Sequence, residues 1–264
     1  MDGILNYTML ASIGLVAGAL NTVAGGGSFL TLPALIVLGL PPSEANGTNR
    51  LAVILQSLTA LCEFRRSGGG SAGHRNGNEN EMARQLAVVA AMPTILGSLL
   101  GAWVSLAVGD EVFKKTLSIL MVAVTVWTLW EPIANKTATL RPPASRYGAG
   151  HALLFLLVGL YGGFVQAGVG FLILAVTTSS GLDLVRGNAI KVFSVLLLTV
   201  VSLLFFAWHG TVDWSVGFAL GLGSAAGGLL GARLSIRLGG TWIRRVVIAT
   251  MFVFAIVLWI SETP

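Results

Sequence analysis

The chain holds a single cysteine, Cys62, so neither an intrachain disulfide nor a cysteine-held metal cluster can form. Charge is nearly as scarce. Only 10% of the 264 residues are Asp, Glu, Lys or Arg, against about 25% in a soluble domain. A chain this poor in charge cannot cover a water-facing surface, which excludes an ordinary soluble fold. Carboxylates are missing from the interiors of the apolar runs, because Glu63, Asp110, Glu111, Asp183 and Asp213 all fall at run ends. A sodium or metal cation is therefore a poor candidate for bound cargo. The patterns G-x-x-x-x-G-K-[ST], H-E-x-x-H and G-x-S-x-G are also absent, which argues against an ATP-driven pump, a zinc protease and a serine hydrolase. No catalytic residue, metal site or cofactor is expected. Met1-Asp2-Gly3 lacks the positive start of a signal peptide, so the first apolar run is expected to stay in the mature protein.

What the chain has instead is apolar residues, at 55%, and 34 glycines. This is the composition of an integral membrane protein, in which small residues let helices approach closely. The net charge of +5 comes from basic residues in short loops between apolar runs, a topological pattern that does not suggest nucleic acid as a partner. Runs are expected over about 6–22, 28–40, 47–63, 85–107 and 113–130, and again over 150–166, 170–182, 187–208, 214–236 and 242–260. The second run of each set is too short to cross. Thirteen helical residues rise only about 20 Å against a hydrocarbon core of about 30 Å. Runs one and two, and six and seven, therefore read as broken helices or hairpins meeting inside the membrane.

The two sets repeat one another. Gly14, Gly18, Asn21 and Gly25-Gly26-Gly27, followed by Asn46-Gly47-Thr48-Asn49, return as Gly159, Gly163, Gln166 and Gly168-x-Gly170, followed by Asn188-x-x-Lys191. Gly97-x-x-x-Gly101-Ala102 with Ser105 returns as Gly227-x-x-x-Gly231-Ala232 with Ser235, at a constant offset of 130 residues. Duplication with glycine-broken segments at matching places is the signature of a secondary transporter.

The expected fold is an all-α integral membrane protein of two inverted repeats, each of about five helical segments and each opening on a broken or hairpin helix. The first repeat covers 1–132, with a flexible cytoplasmic loop at about 64–84 centred on Ser67–Glu81. A loop over 133–149 joins it to the second repeat, 150–264. With both termini on the outer side, only Arg50, Lys114 and Lys115 of the 16 basic residues stay outside, which fixes the orientation by the positive-inside rule. The parity is the same whether each short pair crosses twice or not at all.

Two stretches could hold cargo. In the first, Asn21 and Gly25-Gly26-Gly27-Ser28 form a sharp turn with uncovered N–H groups, and Ser28 is an expected N-cap for a half-helix over 29–38. Gln166 with Gly168 and Gly170 is its counterpart. Two helix starts aimed at one place favour an anion. The competing reading is that these glycines only permit tight packing. The second stretch is Thr48, Asn49 and Arg50 with Asn188 and Lys191, near the starts of long apolar helices. A cation well inside the membrane costs about 2.5–3.5 kcal/mol, so Lys191 reads as functional, whereas Arg50 either serves the site or snorkels to the interface. The stripes Gly14/Gly18, Gly97/Gly101, Gly159/Gly163 and Gly223/Gly227/Gly231 read as close helix crossings. Pro33 and Pro93 are expected to kink their helices. His74, His151 and His209 lie in a loop or at helix ends, where a proton relay is a minor option.

The stretch from Gly18 through Asn21, Gly25-Gly26-Gly27-Ser28 and Pro33 to Leu35, followed by Ala45-Asn46-Gly47-Thr48-Asn49, resembles the sulfite exporter TauE/SafE family, also called the toluene sulfonate uptake permeases. The resemblance covers nearly the whole chain, although the second glycine run is reduced to Gly168-x-Gly170. It implies a multi-pass permease of the prokaryotic inner membrane for sulfite, sulfoacetate, sulfonates or related anions, in either direction. The expected partners are a small anion, the lipid bilayer and, as an option, a second copy of the chain. Bound anion is expected to meet the backbone at Gly25–Ser28 and Gly168–Gly170. Asn21, Thr48, Asn49 and Gln166 would act as donors there, with charge from Lys191 and proton coupling left open. A channel, or a non-transporting subunit of a larger complex, remains the alternative.

Overall fold

Nine apolar stretches coil into helices, in a computed structural model that describes residues 2–67, 77–130 and 147–261. They are α1 (Asp2–Val23), α2 (Ser28–Val37), α3 (Pro42–Arg66), α4 (Gly77–Ala107), α5 (Gly109–Trp130), α6 (Ala149–Phe164), α7 (Val169–Ser179), α8 (Leu184–Trp208) and α9 (Trp214–Ser261). No strand occurs among the described residues. Gly239, with φ 70° and ψ −168°, interrupts α9 between the two runs expected there. Residues Glu81–Ala107, Leu184–Trp208 and Trp214–Gly239 are long and apolar enough to cross a membrane. The short elements are as short as expected, with 10 residues in α2 and 11 in α7.

Local chemistry moves several boundaries. α3 starts at Pro42, where a missing N–H costs nothing, and the N–H of Ser43 donates to Asp110 Oδ1 at 2.9 Å. α8 starts at Leu184 because the Asp183 carboxylate accepts from the N–H groups of Val185 and Arg186 at 2.9 and 3.0 Å. Arg50 and Lys191 consequently lie about two turns inside their helices, deeper than the sequence suggests. The expected loop over 64–84 is also narrower, since α3 runs to Arg66 and α4 begins at Gly77. Its glycine run, like most of the 133–149 loop and His74, lies outside the described residues. Pro33 and Pro93 sit inside α2 and α4.

Packing joins the two halves crosswise. Gly14 and Gly18 of α1 receive the main chain of Leu220 and Ser224 of α9, and Gly223 and Gly227 of α9 receive Ala11 and Leu15 of α1. The same arrangement recurs where Gly159 and Gly163 of α6 receive Thr94 and Ser98 of α4. At each position a side chain would overlap a neighbouring backbone, so the stripes serve close crossings as expected. Apolar side chains such as Trp103, Leu204 and Leu222 stay exposed on the outside, as a lipid-facing surface requires.

Candidate functional site

The two chain breaks meet back to back. Gly25 adopts φ +95°, and a Cβ there would lie 2.5 Å from Gly170 Cα, so only glycine serves at this contact. The second break turns through Gln166 at φ +64° and Gly168 at φ +74°. Phe29 and Phe171, one from each short helix, stack beside the contact with ring centroids 6.4 Å apart.

α2 begins at Ser28, not after it. Gly27 precedes it in helical conformation with no side-chain cap, and Ser28 Oγ instead accepts from Asn49 Nδ2 at 3.2 Å. The first helix-forming bonds run from Phe29 to Gly26 and from Leu30 to Gly27. Among the described residues, the N–H groups of Gly26, Gly27 and Ser28 therefore have no acceptor, although all three residues are buried. The amides of Gly168 and Gly170 are similarly free. Three consecutive free, buried N–H groups at a helix start form a donor set whose chemistry suits an anion.

Beside these amides lies a small cavity of about 10 Å³, bare room for one water. Its polar walls are Asn21 from α1, Ser28 and Thr31 from α2, Asn49 and Gln56 from α3, and Ser224 from α9. The side chains tie one another in place. Asn21 Nδ2 donates to Gln56 Oε1 at 2.7 Å, Gln56 Nε2 to Thr22 Oγ1 at 2.9 Å, and Thr31 Oγ1 to Asn49 Oδ1 at 2.6 Å.

Two buried cations close the broken helices from the opposite half. Lys191 Nζ donates to the carbonyls of Asn21 and Thr22, at 3.0 and 2.6 Å, at the end of α1. Arg50 donates to Gly162 and Gly163, at 3.1 and 2.5 Å, at the end of α6. Each satisfies carbonyls that a helix end leaves open and meets the negative end of its dipole. Arg50 is fully buried, with the Phe206 ring centroid 4.7 Å from its guanidinium carbon, so it does not snorkel to the interface. Among the described residues neither cation has a carboxylate partner.

Of the residues singled out in the sequence, Asn21, Gly27, Ser28 and Asn49 line the cavity. Gly25 and Gly26 form the turn behind it. Lys191 lies one bond away, through the α1 carbonyls. Thr48 points elsewhere, accepting from the N–H of Asp213 at 2.9 Å. Gln166 donates to Thr199 at 2.6 Å, and Asn188 to Ser235 at 3.4 Å. Gly170 touches Gly25 but not the cavity. Sequence reasoning missed Thr31, Gln56 and Ser224. Helical spacing could have found Gln56, which falls seven residues after Asn49 on one face of α3.

Comparison with known proteins places the chain among membrane transporters. The family model "Sulfite exporter TauE/SafE" matches residues 10–258. A "Probable membrane transporter protein" of Haemophilus influenzae is 31% identical over 95% of this chain and 93% of its own length. The "Probable membrane transporter protein YfcA" of Escherichia coli is 30% identical over 91% of this chain and 84% of its own. ORF9 of Sinorhizobium sp, named likewise, is 29% identical over 94% and 90%. No solved structure gives a significant match. The chain belongs to the sulfite exporter TauE/SafE family of membrane transporters.

Proposed function

We propose that the protein is a secondary carrier that moves a small anion, a sulfur oxyanion or organosulfonate such as sulfite or sulfoacetate, across the prokaryotic inner membrane by alternating access. The observation that carries this reading is the trio of buried, unpaired N–H groups at Gly26, Gly27 and Ser28 at a helix start, beside a polar cavity that Gly27 and Ser28 line. Such a nest takes an anion, and the two buried cations without carboxylates add a field of the same preference. The cavity, about 10 Å³, is too small for sulfite, so in this scheme its walls must part to admit the anion. Asn21, Ser28 and Asn49 contact the anion in this scheme, and Gly168, Gly170 and Gln166 form the opposing break.

Two inverted repeats, 1–132 and 150–264 about the loop 133–149, carry the movement, with both termini outside. The matched crossings of α1 with α9 and of α6 with α4 support that division, as does the exchange of Lys191 and Arg50 between halves. Proton coupling is compatible with it. The test is uptake of labelled sulfite and sulfoacetate into proteoliposomes, with and without a pH gradient. Saturable flux with counterflow exchange supports a carrier. Linear flux without exchange would establish a channel instead, and absence of flux for both anions from folded protein overturns the substrate class.

A further inference from the structure

Ser224 belongs to α9, in the second half of the chain, yet it lines the cavity built by α1, α2 and α3. It is 3% exposed, and among the described residues its hydroxyl has no hydrogen-bond partner. The other side chains that supply the polar wall are engaged with one another, through the Asn21–Gln56, Thr31–Asn49 and Asn49–Ser28 bonds. Gly18 makes this placement possible, because a Cβ there would lie 2.8 Å from Ser224 Cα. A hydroxyl beside a polar cavity with no partner of its own is free to donate once an oxygen-bearing anion fills the space.

We propose that Ser224 donates its hydroxyl to the bound anion and so completes, from the second half, a site otherwise built from the first. This rests on the anion reading above. Ser224 would then be a ligand that enters the site from a helix locked to α1, so substrate contact spans both halves of the chain.

The sequence supplies a control. Thr94 stands 130 residues before Ser224 and is fully buried with an unpartnered hydroxyl, but it does not line the cavity. At the 142-residue offset that relates Asn49 to Lys191, the apolar Leu198 stands in place of Gln56.

The test measures sulfite and sulfoacetate binding to purified full-length protein by calorimetry, with thermal unfolding as the check on folding. Ser224→Ala is expected to raise the Kd about tenfold, the effect of one hydrogen bond to a charged group. Ser224→Cys, similar in size but a weaker donor, should fall between it and wild type. Thr94→Val should stay within about twofold. An unchanged Kd in Ser224→Ala, alongside weakened binding in Asn49→Ala, removes Ser224 and keeps the site. Equal weakening by Thr94→Val means packing, not ligation, and also overturns the proposal. Wild-type protein that binds neither anion overturns the anion reading and Ser224 with it.

Discussion

Lys191 donates a 2.6 Å hydrogen bond to the main-chain carbonyl of Thr22, placing a second-half cation on the end of the first-half broken helix. The same lysine also reaches Asn21, whose side chain holds Gln56 in the cavity wall. Lys191 therefore acts on the cavity through α1. Its replacement by Met should lower sulfite uptake about tenfold or more in proteoliposomes, because two buried carbonyls lose a charged donor. Wild-type uptake in Lys191→Met would show that this contact does not govern transport.

Gln56 ties Asn21 to Thr22 across the cavity wall. Gln56→Leu leaves both groups without their partner at a cost of about 1–3 kcal/mol. Sulfite affinity should weaken about tenfold, while Asn188→Ala, remote from the cavity, should change it less than about twofold. Calorimetric titration of the two variants checks the contrast.

The Gly25–Gly170 contact tolerates no side chain. Gly25→Ala combines a positive φ with overlap against Gly170, which should cost roughly 2–4 kcal/mol and abolish transport. Thermal unfolding in detergent reads the first effect, and a wild-type unfolding temperature in this variant would refute the packing described here.

Asp213 precedes α9 and lies outside the membrane-spanning segments. The Ser215 hydroxyl, and after it the Val216 N–H, hold its carboxyl below the ordinary value of 3.8. Ionised Asp213 therefore contributes stability above the ordinary carboxylate pKa, and this is lost as the pH falls through the lower folded value. Unfolding temperature should drop on acidification below about pH 4, and less steeply in Asp213→Asn, which keeps a cap without the charge.

Cys62 is exposed near the end of α3, just before Arg65 and Arg66. The proposed orientation places it at the cytoplasmic side. A membrane-impermeant maleimide should label it in inside-out vesicles and not in right-side-out ones, and the reverse pattern would invert the topology.

Much of the architecture was legible because it depends on local quantities. Scarce charge and long apolar runs impose a membrane fold, and segments too short to cross appear as α2 and α7. The glycine stripes mark helix crossings because an absent side chain is visible in sequence. Gly25-Gly26-Gly27-Ser28 also announced a turn with uncovered amides. Ser28 as an N-cap was misjudged, since whether its hydroxyl serves the helix start or accepts from Asn49 depends on where α3 lies.

The sequence by itself determined the membrane character and the broken helices, both of which follow from composition and spacing along one chain. Tertiary structure alone decided what the buried cations touch and which polar residues share a cavity. Arg50 and Lys191 bond to carbonyls more than 100 residues away, and Ser224 joins Asn49 only because Gly18 lets α9 press against α1. Hydrogen bonds and contacts of a few ångströms between distant segments leave no period or spacing in a single sequence, so the fold has to bring them together before the site exists.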